Sequence, residues 1–110
     1  MTPIAVEDFL KVDIRVGRIV SADVLKGAYV PAYQLRIDFG ALGIKQASAR
    51  ITRLYDADDL PGQLVLAVVN FAPKRIAGFL SEVLVLGVDG EGGEVLLGPD
   101  REVTLGKRIY

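Results

Sequence analysis

The sequence predicts an all-β domain: one small barrel of five strands, with a short N-terminal helix and a helical insert between strands 3 and 4. Three observations lead there. Alternating apolar and polar residues mark three segments in the first half of the chain, the period of half-buried strands. Two near-continuous apolar runs, residues 64–69 and 83–86, follow a Pro61-Gly62 break and have the length of strands rather than helices. Between the third and fourth segments, residues 52–60 read as a short helix or helical turns, with Asp56 placed to cap them. At 110 residues the chain fits one domain, so residues 1–110 are expected to share a single core.

The elements follow in order. Thr2 can cap a helix, Pro3 suits its first turn, and Val6, Phe9 and Leu10 recur at helical spacing. About two turns cannot persist alone, so the apolar side of this helix must dock on something. In the first strand Val12, Ile14 and Val16 alternate with Asp13, Arg15 and Gly17; the phase then changes through Ile19 and Val20. A phase change beside Gly17 predicts a bulge or bend, which lets one strand serve both halves of a small barrel. Residues 26–31 form a loop. Tyr33, Leu35, Ile37 and Phe39 then alternate with Gln34, Arg36 and Asp38, and Gly40 and Gly43 bracket a tight connection. The third strand sets Gln46, Ser48 and Arg50 against Ala47, Ala49 and Ile51, so a hairpin carries Gln34, Arg36, Gln46, Ser48 and Arg50 on one polar face. The runs at 64–69 and 83–86 do not alternate, although the outer face of a one-layer barrel meets water. Their outer faces need cover from a terminal helix, a loop or a second subunit, and a chain this small has little to spare; a homodimer is expected. The tail offers a short strand around Glu94 to Leu97. Five strands with a helical insert between the third and fourth match the five-stranded Greek-key barrel of the OB fold.

Composition removes most chemistry. With no His and no Cys, the commonest general base, the usual zinc ligands and disulfides are all absent. No nucleophilic triad, Gly-rich phosphate loop or calcium-loop spacing is present. The chain is expected to be no enzyme and to use no cofactor and no metal. The formal net charge of −1 gives no bulk drive onto nucleic acid, so any such contact rests on a local patch. Lys45, Arg50, Arg53, Lys74 and Arg75 could supply one. No run approaches the roughly 18 apolar residues that span a bilayer, and the opening residues lack the pattern of a signal peptide. A cytoplasmic location without membrane insertion is the expectation.

Two stretches carry a resemblance: Val12-Asp13-Ile14-Arg15-Val16-Gly17-Arg18-Ile19-Val20, and Asn70-Phe71-Ala72-Pro73-Lys74-Arg75-Ile76-Ala77-Gly78-Phe79-Leu80-Ser81-Glu82. Both strongly resemble the tRNA-binding-domain family, OB modules appended to some aminoacyl-tRNA synthetases together with their free-standing relatives. The Asn-x-x-Pro-Lys-Arg-x-x-Gly-x-x-Ser spacing is the specific part. Within the family the chain is similar to the CsaA-type branch, small dimeric bacterial and archaeal chaperones linked to protein export. Two departures from the synthetase appendices point the same way. Residues 26–32 stand where those modules carry a His-Pro-x-Ala-Asp loop, and Val83-Leu84 stands where they carry Gly-Met.

The resemblance implies two classes of ligand. One is unfolded preprotein, held passively and without nucleotide, with the preprotein translocase motor as a further partner. The other is tRNA, gripped by its phosphates. Candidate ligand residues are Asn70, Lys74, Arg75, Gly78, Phe79 and Ser81 on the motif, and Arg36, Lys45, Gln46, Ser48, Arg50 and Arg53 on or beside the polar hairpin face. Asn70, Pro73 and Gly78 equally suit a barrel-closing turn, and the polar face equally suits an ordinary wet sheet. Single-strand binders of this fold stack bases on aromatic rings, yet Tyr33, Phe39 and Phe71 fall on apolar registers.

Overall fold

The computed structural model describes all 110 residues. Its elements are α1 (Val6–Leu10), β1 (Ile14–Val24), β2 (Tyr33–Asp38), β3 (Ile44–Ala49), β4 (Leu64–Val68), β5 (Lys74–Ile76), β6 (Phe79–Ser81), β7 (Leu84–Val85), β8 (Gly87–Gly90) and β9 (Gly93–Leu96). Five of the strands form one antiparallel sheet of order β3-β2-β1-β4-β7, with β5–β6 and β8–β9 as separate hairpins. The sheet curls into a nearly closed barrel whose two edges, β3 and β7, face each other without pairing. The fully buried side chains of Ile19, Leu35, Ile37, Phe39, Ala47, Leu60, Val65 and Ala67 fill it, as the period of two in their strands requires.

β1 serves both halves of the barrel, as its phase change implies. It pairs with β4 from Ile14 to Arg18 and with β2 from Arg18 to Val24. The register slips between Ile19 and Ser21, so the extra residue is Val20 rather than a neighbour of Gly17. Gly17 has a different task. A Cβ there would lie 2.5 Å from Ile37 Cγ2 and 2.7 Å from Phe39 Cε1, so the missing side chain is what lets the Phe39 ring reach the core.

The insert between β3 and β4 is a correction to the sequence reading: residues 52–60 hold a single 3₁₀ turn, Ala57–Asp59, and no helix. Thr and Asp compete with a helix for backbone groups, and Asp56 makes no capping bond. Nearby, the Tyr55 carbonyl accepts from Tyr33 Oη at 2.7 Å, and the Tyr55 hydroxyl accepts from Leu96 N–H at 3.0 Å. Those bonds tie the segment to β2 and β9, while buried Leu60 closes the end of the core. The N-terminal helix also differs from expectation. It starts at Val6, with Ala5 preceding it and the Asp8 carboxylate accepting Ala5 N–H, so Thr2 and Pro3 lie outside. None of its residues is buried: Val6 and Leu10 stand largely exposed, while Phe9 is about two-thirds covered (37% exposed).

The backbone edge of β4 beyond β7 meets the chain's own tail, while the outward side chains of Leu64 and Leu66 stay only half-buried. Leu66 N–H donates to Leu97 O, and Gly98 lies against the Leu64 carbonyl, closely enough that a Cβ there would sit 2.7 Å from its oxygen. Further on, residues 106–109 hydrogen-bond along Ile14 and Val16, the part of β1 that β2 leaves bare. Asp13 fastens this strap. Arg15 donates to both its oxygens (Nε to Oδ1 2.6 Å, Nη2 to Oδ2 3.2 Å), and Arg108 Nε stands 3.6 Å away. The Arg15 hydrogen bonds, with the charges of Arg15 and Arg108, hold the Asp13 carboxyl below its usual value near 3.8 against partial desolvation. A carboxylate depressed on folding stabilises the fold above its unfolded value and loses that contribution as pH falls through the folded one. Asp13→Asn is therefore expected to lower the melting temperature at neutral pH and to flatten the acid decline below about pH 4, measured by thermal melts across the acid range.

Candidate functional site

The motif at residues 70–82 folds into a hairpin held at both ends. Asn70 is the first pin: Oδ1 accepts from Asp13 N–H at 2.9 Å and Nδ2 donates to Lys11 O at 2.8 Å. Ser81 and Glu82 form the second. Ser81 Oγ accepts from Ser48 N–H at 3.1 Å, the Glu82 carboxylate accepts from Gln46 N–H at 3.1 Å, and Glu82 N–H donates to Gln46 O at 2.8 Å. Gln46 Nε2 adds a bond to Leu80 O. These contacts close the upper part of the gap between β3 and β7, so Asn70, Ser81 and Gln46 spend their polar groups on architecture. Asn70→Ala is expected to cost about 1–2 kcal/mol of stability, from two hydrogen bonds, and to leave ligand affinity unchanged; chemical denaturation and a binding titration check the two halves.

Between the pins, β5 and β6 pair through a turn at Ala77-Gly78, both at positive φ (52° and 79°), the requirement of a type I′ turn. The register sets Lys74 opposite Ser81 and Ile76 opposite Phe79, with Arg75 and Leu80 on the other face. Lys74 and Arg75 thus point to opposite sides of the hairpin, and Arg75 Nη1 folds back onto Gly78 O at 3.2 Å. On the barrel, the β2–β3 register pairs Gln34 with Ser48 and Arg36 with Gln46, which gives the one polar face the sequence implies.

A groove runs between β3, the β5–β6 hairpin and β7–β8. One hollow of about 270 Å³ is lined by Ser48, Phe71, Lys74, Ile76, Glu82 and Leu84. A second, of about 410 Å³, is lined by Ser48, Arg50, Ile76, Leu84, Leu86 and Val88 with Asp89 and Glu94. A third places Tyr29 and Val30 beside Arg50 and Ile76. Ser48 and Ile76 are common to all three and join them into one channel.

The structure brings Lys74, Ser48, Ser81 and Arg50 to this groove. Phe79 and Gly78 lie at its far end, near Lys26 and Gln34. Lys45 is opposite Ile37, on the inward register at the end of β3, and Arg53 sits against Gly93 at the start of β9. Arg36 is exposed on the outer face. The five cations named from the sequence therefore form no single patch. Ile76 and Leu84 are among the lining residues that the sequence did not mark as ligand candidates. Ile76 lies in a hairpin whose turn lacks the usual Asn-Gly signal, and Leu84 is hidden inside a run with no alternation. The exposed ring of Tyr29 stands at the groove's edge.

Comparison with known proteins gives a consistent set of relatives. The family described as "Putative tRNA binding domain" matches residues 14–108. Methionine–tRNA ligase of Nitrosomonas europaea is 40% identical over 108 residues, and that of Thermococcus onnurineus 37% over 103. The alignments take in 96% and 94% of the chain but only 15% and 14% of those enzymes, so the chain spans about a seventh of their length and matches a module rather than the whole ligase. Among solved structures, the chaperone CsaA of Bacillus anthracis superposes with a TM-score of 0.92 at 53% identity, over 99% of this chain and 100% of that one. The CsaA chaperone protein of Picrophilus torridus gives 0.91 at 48% identity, over 98% and 100%.

Proposed function

Because the chain belongs to the tRNA-binding-domain family and is of the CsaA type within it, we propose that it works as a non-catalytic, dimeric binding protein that holds extended segments of unfolded polypeptide. The composition of the groove carries this reading: Ile76, Leu84, Leu86, Val88 and Phe71 line it with Asp89, Glu94 and Glu82, against only Lys74 and Arg50 as cations. Apolar walls with an acidic end suit an unfolded chain and disfavour a phosphate backbone, which needs clustered positive charge. Preproteins awaiting export, and the translocase motor that receives them, are the partners that the CsaA likeness suggests.

Dimerisation has a physical motive at α1. Val6 and Leu10 of α1 are 70% and 50% exposed, yet α1 is fixed in place by Asn70 on Lys11 O and by Arg108 on Leu10 O. A rigid, exposed apolar helix suits burial against a second copy. Sedimentation of the wild type as a dimer, and of Leu10→Asp as a monomer, is the expected result; a wild-type monomer at all concentrations overturns it.

The family likeness and the ligase modules favour a second reading, a tRNA binder that meets phosphates through exposed cations such as Lys74 and Arg75. Titration with a reduced, carboxymethylated (permanently unfolded) protein and with tRNA at several salt concentrations separates the two. Binding to the unfolded chain with little salt dependence is expected. Tight tRNA binding with a steep salt slope, and none to the unfolded chain, overturns the polypeptide reading.

A further inference from the structure

The groove's lower half is an open seam in the sheet. Above it, Ser81 and Glu82 bridge β3 through the backbone of Gln46 and Ser48. Below, nothing does. Arg50 continues β3 in the same register as Gln46 and Ser48, whose backbone groups point across the gap, and neither its N–H nor its C=O has a hydrogen-bond partner. β7, across the seam, is the other unpaired edge of the sheet. Exposed sheet edges of this kind are templates for another strand, and native folds usually cover or charge them. Here the edge stays open and is flanked by a hollow lined with Ile76, Leu84, Leu86 and Val88.

The far end of the hollow carries a second unpaired feature. Asp89 and Glu94 lie directly opposite each other across β8–β9, and neither is within ion-pair distance of any cation. Like charges facing each other across a strand pair destabilise it, and a basic side chain between them reverses the sign.

We infer that the seam takes polypeptide by strand addition: the backbone of an extended segment pairs with Arg50, its inward side chains enter the hollow beside Ile76 and Leu84, and a lysine or arginine at one end meets Asp89 and Glu94. This rests on the reading of unfolded polypeptide as the ligand and adds how it is held. Main-chain bonds give affinity without demanding a sequence, while the hollow selects alternate apolar residues. The same arrangement disfavours nucleic acid, since the Asp89–Glu94 end repels phosphate.

The test uses a short peptide of alternating leucine and serine with a terminal lysine, titrated against the intact protein together with two derivatives. One carries N-methyl groups on the leucines, the other on the serines, so each blocks one of the two strand edges. One derivative is expected to bind roughly tenfold or more weakly than the parent and the other about as well as it, with hydrogen exchange at the Arg50 amide slowed by the parent. Asp89→Asn with Glu94→Gln is expected to weaken the lysine peptide and leave an uncharged analogue unchanged. Equal binding of the parent and both derivatives, with exchange at Arg50 unaltered, overturns strand addition and leaves the polypeptide reading intact. Failure of the parent peptide and of the unfolded protein to bind overturns both.

Discussion

Gly17→Ala is expected to lower the unfolding free energy by about 2 kcal/mol, the middle of the range for an overpacked core, and the melting temperature by roughly 10 °C. Gly17 is buried in β1, and the added methyl would approach Ile37 Cγ2 and two carbons of the Phe39 ring at 2.5–2.9 Å. Neither neighbour can yield easily. Both are fully buried, and Ile37 is held by the β1–β2 register. The cause can be isolated: in a Phe39→Leu background, where the ring is gone, the same glycine change is expected to cost clearly less. That non-additivity is the mark of direct contact. Equal costs in the two backgrounds, by chemical denaturation, would assign Gly17 some other role.

The second large effect is on binding. Ile76→Lys is expected to weaken binding of unfolded polypeptide at least tenfold, roughly the loss of one buried apolar side chain, while tRNA binding holds or rises. Ile76 is the apolar residue shared by every part of the groove. It stands beside the turn of a hairpin that touches the barrel mainly through Ser81 and Glu82, so stability is expected to change little. Calorimetric titration with each ligand, and a thermal melt of the variant, read all three quantities. A loss of tRNA affinity with polypeptide binding intact would reverse the assignment of the groove.

Much of the barrel is legible in the sequence because its strands are wet on one side. The alternation of Tyr33, Leu35, Ile37 and Phe39 fixes the inward register of β2, and Gln34, Arg36, Gln46 and Ser48 share a face as the period requires. What stays hidden depends on contacts distant in the chain. Residues 52–60 carry helix-like spacing, but Tyr33 and Leu96 claim the Tyr55 polar groups and hold the segment as a turn. The apolar run at 64–69 signals a need for cover; Leu97 and Gly98 run along its backbone edge, and the side chains of Leu64 and Leu66 stay only half-buried. The exposed α1 adds a second motive for a dimer. The site was legible in part. The motif from Asn70 to Ser81 marks a segment that lines the groove, but charge counting cannot tell that Lys74 and Arg75 face opposite ways or that Lys45 shares the register of buried Ile37. Ala77 hides the hairpin: a non-glycine residue at positive φ, where Asn or Gly is the expected signal.

The most direct test of the central claim is an amide chemical-shift map of the isotope-labelled protein during addition of unfolded polypeptide. The predicted result is a contiguous set of perturbed amides at Ser48, Arg50, Ile76 and Leu84, with Lys45, Arg53 and α1 unaffected. Perturbation confined to other surfaces, or a groove that responds to tRNA and not to the unfolded chain, would contradict it.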